Sequence, residues 1–327
     1  MKRQVLQLLL AFVAIVSFTS AALAIDLGIT TGSEQGTYYQ FGLNLQTLMK
    51  DKDINLTVAP SKGSIDNIYA VFQKPGTQLG IVQADVLAFV SRVQTDPVLQ
   101  RIAKKTKMVF PLYNEEVHLL GRSTIRDFDD LADKRVAVGR EGSGTYLTAR
   151  LLFKVSDVVP KEMVYIDTGE ALAALKAGRV DAMFYVAGAP VKLLSEGVTE
   201  SDGLALIPIS SKNITEFYPG VEIPARTYPW QANAVPTVAV KAVLISFDFR
   251  HGDCENVGKF AQLVSANRGW LLRNGHPKWK VVDLDAPLKG WEQYDCVKKY
   301  LSKRPVAAEK ASPMNPVLDA IKQMLGN

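Results

Sequence analysis

Short apolar runs alternate along the chain with stretches in which apolar residues recur every three or four positions, the pattern of strands followed by amphipathic helices. Ile25–Thr30 reads as a first strand, and Thr37–Lys50 as a helix with Phe41, Leu45, Leu48 and Met49 on one face. Leu56–Ala59 and Leu79–Val82 continue as strands, each followed by a helical pattern over Ser64–Phe72 and Ala84–Val93. Met108–Leu112 and Val117–Gly121 follow as two further strands, separated by polar residues. A second series then begins: strands at Arg135–Val138, Met163–Ile166, Ala182–Tyr185 and Leu204–Pro208, with helices over Gly144–Val155 and Gly169–Ala177. Tyr218–Pro236 is rich in proline and aromatics and has no period, so it reads as a connector. Val238–Ser246 resumes as a long apolar strand, and helical patterns lie over Cys254–Asn274 and Pro313–Leu325.

Two series of strand–helix–strand units imply an α/β protein with largely parallel pairing. The last stretch holds too few strands for a core of its own. The chain is therefore expected to leave a first lobe, build a second over residues 121–237, and return, so that 25–120 and 238–327 form one discontinuous lobe. Val117–Gly121 and Val238–Ser246 would be the crossing segments. Two sequential domains with a helical tail are the competing arrangement.

Bulk properties narrow the setting. Lys2 and Arg3 precede an apolar run from Val5 to Phe18, and Ala22-Leu23-Ala24 forms an A-x-A cleavage pattern, so residues 1–24 read as a secretory signal peptide. The run is short for a membrane span of roughly 20 apolar residues, and no cysteine just past the cleavage point offers a lipid attachment site. Removal of that segment leaves 36 basic against 33 acidic residues, interspersed rather than clustered. Nucleic-acid binding would need a basic face or stripe, and is not expected. Cys254 and Cys296 are the only cysteines; in an oxidising compartment they read as one structural disulfide.

Candidate chemistry concentrates in loops between a strand and the next helix, where open α/β sheets bind ligands. In the first, Gly32 and Gly36 allow a tight turn and close backbone approach; Ser33 and Thr37 add hydroxyls, and Tyr38 and Tyr39 add flat walls with polar tips. An ordinary glycine turn with core tyrosines is the plainer account. The second holds Lys62, Gly63, Ser64, Asp66 and Asn67. Ser64 as a helix cap and Asp66 in the first turn explain themselves; Gly63, Asn67 and Lys62 leave room for ligand contact. In the third, Gln83 is a candidate hydrogen-bonder and Asp85 reads as a residue at a helix start. The fourth, Arg140-Glu141-Gly142-Ser143-Gly144-Thr145, repeats the logic of the first: free N–H groups at a helix start favour an anion. It lacks the Lys-Ser/Thr ending of a phosphate-binding loop and the G-x-S-x-G of a hydrolase elbow. The fifth runs from Tyr185 through Gly188 to Pro190, small enough to line a cleft. His118, His251 and His276 lie in different contexts, with no metal-ligand spacing, so no catalytic residue, metal or cofactor is expected.

Taken in order, these loops resemble the TAXI family of solute receptors, the extracytoplasmic proteins associated with TRAP transporters. The resemblance runs through Gly32-Ser33, Gly36-Thr37-Tyr38-Tyr39, Gly63-Ser64-Ile65-Asp66-Asn67 and Ile81-Val82-Gln83-Ala84-Asp85. It continues with Leu112-Tyr113, Val117-His118-Leu119, Val136-Ala137-Val138-Gly139, Gly142-Ser143-Gly144-Thr145, Gly178-Arg179-Val180-Asp181-Ala182 and Val186-Ala187-Gly188-Ala189-Pro190, covering nearly all of the mature chain. It implies a two-lobed type II periplasmic-binding-protein fold, a monomeric non-enzymatic receptor in the periplasm, and delivery of solute to a TRAP-type membrane permease driven by an ion gradient. The implied ligand is a small anionic or zwitterionic molecule: glutamate, a related amino acid, or a dicarboxylate such as 2-oxoglutarate. Arg140-Glu141 departs from the small residues or proline expected before Gly-Ser-Gly-Thr. Arg140 in the cleft would strengthen anion binding, whereas Glu141 there would select an amine. A receptor that presents its ligand to a membrane signalling protein would use the same cleft; a secreted hydrolase using Ser33 or Ser143 is the enzymatic alternative.

Overall fold

The computed structural model describes residues 24–34 and 36–302. The segment expected to be a signal peptide, as far as Leu23, and the helical pattern expected at Pro313–Leu325 lie outside the described residues.

One mixed ten-stranded sheet runs through the molecule, with two parallel three-strand sections flanking a central antiparallel pair. The elements run β1 (Ile25–Thr30), α1 (Thr37–Met49), β2 (Ile54–Ala59), α2 (Ser64–Gln73), β3 (Leu79–Gln83), α3 (Val86–Arg92), α4 (Pro97–Lys105) and β4 (Thr106–Arg122). They continue β5 (Arg135–Ala137), α5 (Gly144–Ser156), β6 (Glu162–Val164), α6 (Thr168–Lys176), β7 (Ala182–Ala187), α7 (Lys192–Gly197), β8 (Leu204–Leu206), α8 (Lys212–Thr215) and β9 (Gly220–Ile223). The described chain closes with β10 (Val235–Phe247), α9 (His251–Ala266), α10 (Arg268–Asn274), a 3-10 turn over Pro277–Val281, and α11 (Asp295–Ser302).

The strand order is β2-β1-β3-β10-β4-β7-β5-β6, with β8 on β4 and β9 on β10. β2-β1-β3 and β7-β5-β6 pair in parallel; β10 runs antiparallel to both β3 and β4, and β4 antiparallel to β7. A parallel strand is covered by helices on both faces, which is why Leu27–Thr30 of β1 and all of β3 are buried without alternation. β3 meets β10 at Ala242–Ile245, whereas β7 meets β4 at Glu116–Gly121. The two lobes therefore join where Asn114–Glu116 lies beside Ala239–Lys241. One apolar core draws on residues 27–113 and 242–297, a second on 120–235, and a third spans the junction from Ile65 through Phe184 to Ile245.

Two expectations change, and one unassigned stretch gains a helix. Met108–Leu112 and Val117–Gly121 are one 17-residue strand, because the polar Asn114-Glu115-Glu116 between them finds partners inside the protein instead of breaking the ladder. The connector at Tyr218–Pro236 contains β9, whose Gly220–Ile223 pairs with Val235–Val238. The amide nitrogen of Gln231 holds the return, sharing its two hydrogens among the carbonyls of Ile223, Pro224 and Asn233. The stretch after α3 holds a helix, α4, started by Asp96, whose carboxylate accepts from Val98 N and Leu99 N just past Pro97. Cys254 and Cys296 form the expected disulfide between α9 and α11, with Cα atoms 5.6 Å apart.

Candidate functional site

A cavity of about 440 Å³ opens between the two lobes, within the usual size of small-molecule sites. Its walls are the segments that follow β1, β2, β5 and β6, the ends of β3 and β7, and Glu115 of β4. These are the carboxyl ends of the parallel strands. Gly32, Ser33, Gly36, Thr37, Tyr38, Lys62, Gly63, Gln83, Arg140, Ser143, Gly144, Thr145 and Tyr185 all line it. Arg140 reaches the wall while Glu141 does not.

Two helices begin at the cavity on opposite lobes. α1 starts after Gly36 with extended backbone and no side-chain cap, and α5 after Ser143, whose Oγ accepts from Tyr146 N. Neither carries an acid in its first turn. The positive ends of both dipoles thus face the cavity without a carboxylate of their own. α6 differs: Asp167 caps it by accepting from Glu170 N, and Glu170 lies in its first turn.

The lobes touch across the cavity. Gly63 has φ +117°, a backbone state that side chains rarely adopt, and a Cβ there would lie 3.2 Å from Ser143 Cα. A Cβ on Gly144 would lie 2.6 Å from Gln83 Oε1. Ile65 N donates to Gly142 O at 3.3 Å. The Thr148 hydroxyl of α5 lies 3.0 Å from Gln83 Oε1 and 2.8 Å from Asp85 Oδ2; with one hydrogen it serves one acceptor at a time. Tyr218 OH donates to the same Asp85 oxygen at 2.8 Å. Asp85 therefore does not act as a simple helix-start residue: it precedes α3 without capping it and turns its carboxyl to the other lobe. Burial pushes that carboxyl up to about 6.

Beneath the glycine loops sits an acid that the motifs do not reveal. Glu115 is 4 % exposed, and its Oε2 accepts from Tyr38 OH at 2.7 Å. Burial, with Asp85 and Glu116 nearby, raises its pKa to about 8. Glu116 pairs with Lys278 Nζ at 3.1 Å and accepts from Ala189 N, while Lys278 also donates to Asn114 O. His118 is fully buried: Nδ1 lies 3.1 Å from the Tyr185 carbonyl and Nε2 2.7 Å from Tyr228 OH. Because a carbonyl only accepts, Nδ1 carries the hydrogen and Nε2 receives the tyrosine proton. Burial lowers the histidine to about 4, so it stays neutral.

Four residues anticipated at the site lie off its wall. The Ser64 hydroxyl is buried and accepts from Gln83 N. Asn67 donates to the carbonyls of Thr31 and Ile81 and accepts from Thr30 Oγ1, pinning α2 to the first sheet. Gly188 packs against the Lys278 stem, and Tyr39 is half-buried on α1 outside the cavity. Val186 and Ala187 of the fifth loop also line the cavity, and Ser61, Glu115, Asp167, Thr168, Gly169 and Leu193 do so without having been singled out in the sequence. Asp167-Thr168-Gly169 carries a readable signal, an N-cap acid between strand and helix. Glu115 carries a subtler one, a carboxyl inside an apolar strand pattern. Among the described residues no group of three or more His, Cys, Asp or Glu is arranged to hold a metal, and no helix is long and apolar enough to cross a membrane.

Residues 29–250 match the model of the NMT1-like family. Similar solved structures include a protein from Bordetella bronchiseptica RB50 (14% identity, 92% of this chain and 98% of that one, TM-score 0.49). An arginine transport system periplasmic binding protein from Legionella pneumophila is 15% identical over 76% of this chain and 97% of its own, at TM-score 0.47. A TctC solute binding protein from Polaromonas is 12% identical, over 80% and 88% respectively, at TM-score 0.44.

Proposed function

The chain belongs to the NMT1-like family, and from that premise we propose that it is an exported periplasmic receptor that closes two lobes over a small carboxylate-bearing solute. The solute is an amino acid or a dicarboxylate of the glutamate or 2-oxoglutarate kind. It is handed to a TRAP-type secondary permease, as in the TAXI receptors that the loop motifs resemble. The observation that carries this reading is the pair of acid-free helix starts, α1 and α5, on opposite walls of one cavity. Lys62 and Arg140 add positive charge to the same walls.

The mechanism follows from the topology. β4 and β10 pass between the lobes where Asn114–Glu116 lies beside Ala239–Lys241, so these two strands carry the hinge. A carboxylate held by the N–H groups of only one helix leaves the other helix start unused. Contact with both is available only when the lobes approach, and that differential affinity drives closure. Thr148, Asp85 and Tyr218 then tie the lobes together beside the ligand.

A thermal-shift screen of amino acids and small carboxylates tests the proposal. A ligand at a hundred times its Kd should stabilise the protein by about 2.7 kcal/mol. Gly36→Asp should abolish the shift, because its carboxylate occupies the free N–H groups of α1 itself. A screen with no stabilising member, or a Gly36→Asp variant that binds as tightly as wild type, would sink the reading.

A further inference from the structure

The cavity is electrically polarised. Its outer walls hold the two helix starts with Lys62 and Arg140. Toward the hinge the balance reverses: Glu115, Glu116 and Asp85 gather around a single amine, Lys278, which is committed to Glu116. Glu115 lines the cavity and, among the described residues, has only a phenol, Tyr38, as hydrogen-bond partner. Its other carboxylate neighbours raise the cost of ionising it, and no unpaired cation reaches it from α1, β4, β7 or the 3-10 turn. The groups that face it from those elements are Tyr38, Tyr113 and Glu116, Tyr185, and Lys278, with Asp85 from the start of α3. A buried carboxyl without a counter-charge, on the wall of an anion-binding cavity, is an unusual thing for a fold to keep on stability grounds alone.

Resting on the receptor reading, we infer that Glu115 recognises the ammonium group of the solute, so that the ligand is a zwitterionic amino acid whose carboxylate meets the helix starts and whose amine meets the hinge. A plain dicarboxylate offers Glu115 no cation and so gives it no reason to ionise, whereas an ammonium does. Near neutral pH the burial of Glu115 keeps its proton in place. The arriving ammonium supplies the missing positive charge; Glu115 ionises, its proton passes to solvent, and the ammonium keeps its own. Tyr38 OH is already positioned to donate to the carboxylate so formed.

Matched pairs of amino acid and 2-oxo acid isolate the amine: L-glutamate with 2-oxoglutarate, L-alanine with pyruvate, L-leucine with 4-methyl-2-oxopentanoate. Calorimetric titration at pH 7 in phosphate and in Tris should show the amino acid of at least one pair bound at least about tenfold tighter than its partner. The buffer dependence of the enthalpy should reveal release of up to one proton. With wild-type protein alone, the affinity should rise by up to about tenfold per pH unit from pH 6 to 8. Glu115→Gln, checked for an intact unliganded melting transition, should lose both the preference and the proton release. Equal or tighter binding of the 2-oxo acid, no proton release, or a preference that survives Glu115→Gln overturns this role for Glu115 and leaves the receptor reading standing. Failure of every pair, together with failure of all other carboxylates to stabilise the protein, removes both.

Discussion

At the scale of single residues, burial decides more than identity. Glu115, Asp85 and His118 are all titratable, and each is shifted first by desolvation. Their effects on stability have opposite signs. Glu115 in the fold holds its proton up to about 8, above its ordinary value of 4.5, so the folded state binds more protons across that window and loses stability as pH rises through it. Asp85 does the same between 3.8 and about 6. His118 is depressed to about 4 from 6.5, so the unfolded chain binds the extra proton and stability falls as pH drops through that range. Between pH 6.5 and 8, Glu115 is the one of the three that titrates differently in the two states. Unliganded wild-type protein should therefore lose melting temperature across that interval, and Glu115→Gln should be flat there. Parallel curves for the two would mean that Glu115 is not held protonated by the fold.

At the scale of elements, the facing glycine loops set how closely the lobes approach. Gly63 and Gly144 are readable as glycines that let backbone near something, but sequence does not say that the something is the other lobe. Gly63→Ala combines a disfavoured φ of +117° with a Cβ 3.2 Å from Ser143 Cα, a backbone atom that cannot swing aside. The φ strain costs about 1–3 kcal/mol and should lower the unliganded melting temperature, while the clash with Ser143, met where the loops approach, should weaken solute binding in a calorimetric titration. Wild-type affinity in this variant would show that closure does not bring the two loops together. Loops and helix starts were legible because strand, glycine and polar helix start are consecutive in the chain. Asn67 and Ser64 misled for the same reason: they belong to such a loop, yet their side chains turn inward to the sheet. In the sequence β4 reads as two strands because a run of three polar residues is a break unless distant partners satisfy it, and Tyr38 and Lys278 lie 77 and 162 residues away from Glu115 and Glu116.

At the scale of the molecule, the last part of the described chain packs into the core of the first. The core of residues 27–113 is closed by 242–297, including Phe260, Trp279 and Val297. The Cys254–Cys296 bridge, spanning 42 residues, pins α9 to α11 in that returning part. In the chain-entropy model a loop of this length is worth about 4 kcal/mol. Cys254→Ser with Cys296→Ser, or reduction of the wild type, should lower the melting temperature by several degrees while leaving solute affinity nearly unchanged, since neither cysteine lines the cavity. A large loss of affinity in the double variant would instead tie the bridge to closure.

The strand–helix alternation of β1 to β3 and of β5 to β7, the glycine loops at the strand ends and the pairing of the two cysteines were determined by the sequence, since each depends on near neighbours or on simple arithmetic. The tertiary structure alone decided that Glu115 belongs to the cavity, that Asp85 reaches to Thr148 and Tyr218, and that Arg140 rather than Glu141 lines the wall. Those facts depend on which distant groups share a low-dielectric space, and charge in such a space is set by all its neighbours at once.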